Sequence, residues 1–141
     1  MKKYYYSLSL LFVFIIPTVV AGFYLKNVNF ISELVPFVLL ITIIGSIWDI
    51  WATKHKKDPV WIWQFNNRQT LGIKIGGLPV EEYIFYVASS IYVVFMWEGV
   101  KQIVESGSGK LILVISLLSM WTLICILLPY KFASRGDKLV G

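Results

Sequence analysis

The sequence predicts an all-α integral membrane protein of about four transmembrane helices, with both termini cytoplasmic. Three observations carry this expectation. The chain of 141 residues is 57% hydrophobic and only 15% charged, whereas a soluble domain has about a quarter of its residues charged. The charges fall in short clusters between long apolar runs, as they do when those runs cross a bilayer. Lysine and arginine are also shared unequally among the loops, which sets orientation. A net charge of +5 would suit a nucleic-acid binder, but the basic residues form no contiguous stripe. A mean hydropathy of +0.72 excludes a disordered chain. The length fits one domain.

Spans are expected at about 4–25, 31–53, 78–100 and 111–130. The first is a charge-free run of 22 residues and the fourth one of 20, each enough for a bilayer core. Lys2, Lys3 and the Val19-Val20-Ala21 triplet would also fit a cleaved leader, but the apolar run exceeds a signal h-region and contains Pro17. The second span is charge-free over 34–48 and then meets Asp49. The third carries Glu81 and Glu82 near its start and Glu98 near its end. Pro17 and Pro36 are tolerable inside membrane helices, and Pro129 is expected to close the last span. The 106–109 segment reads as an outer turn, and the basic tail 131–141 as loosely ordered. Glu98 and Glu105 read as outer-interface and loop charges. With the N-terminus inside, ten Lys/Arg residues fall on the cytoplasmic side and three outside. The lone cysteine, Cys125, lies in an apolar run, which leaves no intramolecular disulfide and reads as a buried side chain.

The cytoplasmic loop 54–77 and its flanks hold the informative residues. Trp48, Trp51, Trp61 and Trp63 fall within sixteen positions. An interfacial aromatic belt accounts for any one of them, but it does not explain why Asp49, Glu81 and Glu82 gather on the same membrane face. Pro79 is expected as the first helical residue, which puts both glutamates in the first turn, where acids complement the helix dipole. That helix continues directly into lipid-depth sequence, where ionisable residues are costly and mark function. Adjacent residues point about 100° apart on a helix, so one glutamate can face the bundle while the other turns to a neighbour. Paired carboxyls in a low-dielectric setting can hold a neutral acid beside a charged base. A metal site is the weaker reading, since His55 sits among three lysines and no paired-His or acidic repeat is present. Gly72, Gly76 and Gly77 lack the ending of a phosphate loop and are expected to turn the chain before Pro79. Ser89 and Ser90 read as packing residues.

The run Leu71-Gly72-Ile73, followed by Gly77-Leu78-Pro79-Val80-Glu81-Glu82-Tyr83-Ile84-Phe85-Tyr86, resembles the membrane lycopene cyclase domain. That family includes two-subunit bacterial cyclases, fused archaeal forms and the cyclase half of a fungal bifunctional enzyme. Its Pro-x-Glu-Glu/Asp signature matches Pro79 to Glu82, and Asp49 also fits. The resemblance covers about positions 45–90. It implies a redox-neutral, acid-catalysed closure of a linear, lycopene-like ψ-end to a β-type ring. Glu81, Glu82 and Asp49 are then the acid–base groups, with either glutamate as proton donor. Trp48, Trp51, Trp61, Trp63, Pro79, Tyr83, Phe85 and Tyr86 would line the substrate pocket. No cofactor or metal is implied, and no nucleic acid. The substrate would be an apolar carotenoid arriving from the lipid of the bilayer. Complete cyclases of the family have two homologous halves; with one motif, this chain is expected to act with a second subunit or as a self-dimer. The four spans exceed the three expected of a bare half, so the last would be an added packing helix. Two readings compete: a four-span proton-coupled transporter subunit, which would carry an acid deep in a span, and a non-catalytic assembly subunit that keeps the motif for packing.

Overall fold

A computed structural model of the chain describes residues 5–26, 29–54 and 70–136. His55, Trp61 and Trp63 lie outside the described residues. Four helical stretches are long and apolar enough to cross a membrane. The first is composite: α1 (Tyr5–Leu10), a π-helical turn (Leu11–Ile15) and α2 (Ile16–Tyr24). Then come α3 (Ile31–Lys54), α4 (Val80–Ser106) and α5 (Gly109–Gly136). A two-stranded hairpin, β1 (Lys74–Ile75) and β2 (Leu78–Pro79), is the departure from an all-helical chain among the described residues.

Helix boundaries differ from the sequence expectation where local chemistry overrides apolar length. Pro79 is not the first helical residue but the N-cap, with extended backbone (φ −57°, ψ 143°), because it and Leu78 pair antiparallel with Lys74 and Ile75. The hairpin turn is Gly76-Gly77, with φ of 59° and 91°, the doubly left-handed geometry that matches strand twist and that glycine adopts without penalty. At its other end α4 runs past residue 100 to Ser106 and stops where Gly107 turns left-handed (φ 60°) and its N–H caps the Ile103 carbonyl. Glu98 and Glu105 are therefore helical residues, and Glu98 pairs with Lys101 at 2.5 Å. Pro129 does not end the last helix, which continues to Gly136; neighbouring helices and local adjustment make such prolines tolerable in membrane helices.

Helix α4 lies centrally. It packs on α3 along one side and on the first span and α5 along the other. Close approach rests on small residues, as in membrane bundles generally. Gly45 of α3 receives the Tyr86 ring flat against its backbone, and Gly99 of α4 receives Ile115 of α5. Edge-on aromatic contacts fill the remaining seams: Phe30 on Phe95 at 5.3 Å, and Phe14 on both Phe85 and Tyr92 at 5.7 Å. A Cβ at Gly45 would overlap the Tyr86 ring. Gly45→Ala is therefore expected to destabilise the protein by about 1–3 kcal/mol through overpacking, read as an earlier thermal transition of the detergent-solubilised chain, with Gly109→Ala, which meets open space, as the neutral comparison.

Candidate active site

Three helices and the hairpin bring Asp49, Glu81 and Glu82 to one point. All three are buried: Asp49 is 4% exposed, Glu81 0% and Glu82 7%. Asp49 comes from the end of α3 and the glutamates from the first turn of α4. Asp49 and Glu82 are within side-chain hydrogen-bonding reach of each other.

Hydroxyls and one amide meet these carboxyls. Tyr6 of α1 donates its hydroxyl to Glu82 Oε1 at 2.6 Å, and Tyr86, one turn along α4, donates to Asp49 Oδ2 at 2.6 Å. Glu81 Oε1 accepts the Leu71 backbone N–H and, at 3.4 Å, the Ser7 hydroxyl. Short hydrogen bonds to acidic oxygens are the strong ones. Among the described residues Glu81 Oε2 is buried without a partner, and so is the hydroxyl of Thr70, itself 3% exposed and one residue before Leu71. Buried polar atoms without partners are few in folded proteins, and each calls for an explanation.

The hairpin roofs this cluster. Val80 N–H bonds Ile73 O at 3.0 Å, Tyr83 donates its hydroxyl to Ile75 O at 2.9 Å, and Leu78 is fully buried. Beside it, between the first span and α4, an apolar groove of about 370 Å³ is lined by Ile15, Thr18, Tyr83, Ile84, Ala88 and Ile91, among others. Its two hydroxyls are already engaged, Thr18 with Phe14 O at 2.7 Å and Tyr83 with Ile75 O, so the surface presented is hydrocarbon. Ile84 and Ala88 follow Glu81 by one and two helical turns on the same face.

A family model described as lycopene cyclase matches residues 2–100. The chain belongs to the lycopene cyclase family. No curated protein and no solved structure matches it. As a lycopene cyclase family member with four apolar helices, it is a multi-pass membrane protein. The family match ends within α4, so α5 lies beyond it.

The site residues named from sequence separate into groups. Asp49, Glu81 and Glu82 form the cluster and Tyr86 bonds Asp49, whereas Tyr83 lines the groove and Pro79 caps α4 from the hairpin. Phe85 packs on Phe14 and Tyr86. Trp48 and Trp51 do not line the groove; they lie 54% and 44% exposed on α3 and pack on each other with centroids 5.4 Å apart. Ser90 is buried and bonds its own helix at Tyr86 O. Among the described residues no group of three or more His, Cys, Asp or Glu side chains is disposed to hold a metal. Tyr6, Ser7, Thr70 and the Leu71 amide were not foreseen. The run Tyr4-Tyr5-Tyr6-Ser7 is a hydroxyl-rich start to a span, but it reads equally well as an aromatic belt. Tyr86→Phe removes one donor and leaves a buried acid short of a partner. The expected loss is about 1–3 kcal/mol of stability, measured by denaturation in detergent micelles.

Proposed function

We propose that the chain is a carotenoid end-group cyclase subunit of the β-type, an intramolecular lyase or isomerase acting with a second family half. The single observation that carries this reading is a buried carboxyl cluster, in which Glu81 Oε2 has no partner among the described residues, beside a groove with only hydrocarbon to offer. Family membership supports the substrate class. A linear polyene has no polar group to satisfy, so it can pass from the lipid into such a groove without stranding a buried polar atom.

In this mechanism Glu81 is the proton donor. Its Oε2 is fully buried and has no hydrogen-bond partner among the described residues, so it is free to face an alkene. The proton adds to the terminal double bond of the ψ-end and leaves a tertiary cation. The neighbouring double bond attacks that cation, closing a six-membered ring and moving the charge onto the ring. Loss of a ring proton to a carboxylate gives the β-ring, so the sum is an isomerisation with no net proton change. Asp49 and Glu82, held by Tyr86 and Tyr6, are the accepting pair. Two adjacent carboxyls can share one proton, and the proton they take up returns to Glu81 before the next turnover. Tyr83 and Phe85 supply aromatic faces, each able to stabilise a desolvated cation by roughly 0.5–2 kcal/mol, and the roofing hairpin keeps out water that would trap it.

The positive-inside count supports an orientation with both termini and the hairpin on the cytoplasmic side. A phosphatase fused after Gly141 should be inactive and a cytoplasmic fluorescent reporter there active; the reverse pattern overturns this orientation. For the chemistry, the chain is co-expressed with a second family half in lycopene-accumulating cells and the pigments are separated by chromatography. Cyclised product is expected from the pair, and Glu81→Gln should lower it by a factor of about 10²–10⁴, the usual share of a general acid, with the chain still present in the membrane. Full product formation by both Glu81→Gln and Glu82→Gln would overturn the assignment and leave an assembly subunit.

A further inference from the structure

The first span carries a π-helical turn at Leu11–Ile15, immediately before Pro17. The Ile16 N–H bonds the Leu11 carbonyl, as the wider π ring requires. The next residue, Pro17, has no N–H. The Phe12 carbonyl therefore has no π-register backbone donor. It is met instead by Trp121 of α5, whose indole N–H donates to Phe12 O at 2.9 Å.

Pro17 makes this a choice between two geometries. In a continuous α-helix Ile16 would serve Phe12, and the carbonyl without a donor would be that of Val13, four residues before the proline. In the π geometry the donor due to Phe12 falls on Pro17, so the carbonyl left over is that of Phe12. Proline orphans a backbone acceptor in either geometry, and inside a bilayer no water is at hand to repair it. Trp121 supplies the missing donor to the π geometry alone.

The choice decides where the start of the first span points. A π turn accommodates one residue more than an α turn. Reverting it would rotate everything N-terminal of it by about 100° and shift it by about 1.5 Å along the axis. Tyr6 and Ser7 lie in that segment, and they are the residues that reach Glu82 and Glu81. Phe14, inside the π turn, packs against Phe85 and Tyr92 of α4, which fixes the helix on the other side of the adjustment. We propose that Trp121 is a positioning residue for the carboxyl site: α5, which lies beyond the family match, holds the π turn and thereby keeps Tyr6 and Ser7 facing the glutamates. Its catalytic consequence rests on the cyclase reading above; the register it sets does not.

The test uses Pro17→Ala and Trp121→Phe, each alone and each combined with deletion of Phe12, a half-exposed residue. Pro17→Ala restores an N–H and Trp121→Phe removes the indole donor, so both favour the continuous α-helix; deleting one residue then returns Tyr6 and Ser7 to their facing. Register is read without catalysis in full-length chains carrying Tyr6→Cys, Glu82→Cys and Cys125→Ser, by short bis-maleimide cross-linking in membranes. Cross-linking is expected in the otherwise unaltered chain, lost with Pro17→Ala or Trp121→Phe, and recovered when Phe12 is also deleted. In chains with Tyr6 and Glu82 intact, cyclised product should fall by roughly a hundredfold in the single variants, the order of loss that ~1 Å of misplacement produces, and recover with the deletion. Thr122→Val, which removes the 2.9 Å contact between Thr122 and Tyr92 on the adjacent position of α5, should leave the cross-link in place. Unchanged cross-linking in both single variants, or no recovery on deletion, overturns the proposal. The expected cross-linking pattern with no cyclised product from any chain upholds the register and overturns the cyclase reading instead.

Discussion

Three carboxyl groups buried at one end of a membrane bundle are the constraint around which this protein is built. An acid removed from water must be met by hydrogen bonds or its burial is prohibitive. Here the described partners are hydroxyls and a backbone amide, with the Glu98–Lys101 ion pair far along α4. Hydroxyls can satisfy a carboxyl in either protonation state, because they donate and accept. A lysine or arginine partner would instead favour the charged form alone. A site that must both give and receive a proton is better served by the first kind of partner. The fold follows from that requirement: the first span brings Tyr6 and Ser7, α4 brings Tyr86, and the hairpin turns the chain so that the Leu71 amide reaches Glu81.

The same arrangement separates polar from apolar function within a few helical turns. At the hairpin end of α4, Glu81, Glu82, Tyr83 and Tyr86 all engage in side-chain hydrogen bonds. One and two turns onward the groove presents Ile84 and Ala88, and its hydroxyls are turned inward to backbone carbonyls. A hydrocarbon can thus be held by the groove without competing for the carboxyls' partners, and only its end need approach them.

Much of this was legible in the sequence, for identifiable reasons. The four helices were readable because spanning depends on run length and charge exclusion, which are local properties. Asp49, Glu81 and Glu82 stood out because acids at lipid depth are rare. The boundaries were less legible, because Leu78 and Pro79 pair with Lys74 and Ile75 before the helix starts, and because α5 passes through Pro129. The partners of the acids were hidden altogether. Tyr6 and Ser7 reach across 76 and 74 positions, a pairing that no local pattern encodes. Trp48 and Trp51 share the helix of Asp49 but not its face, and composition alone does not resolve faces on a helix that is apolar all round.

The dependence of Glu81 and Glu82 on the first span bears on how the chain is made. Acidic residues weaken a segment's partition into the bilayer, less near its ends than at its centre, so α4 is the poorest of the four candidates for independent insertion. Its hydroxyl partners on the first span are synthesised some seventy residues earlier, so they leave the ribosome before it does. The first span thus serves α4 as an internal escort during biogenesis, and the order of the spans along the chain is itself part of how the acids come to be buried.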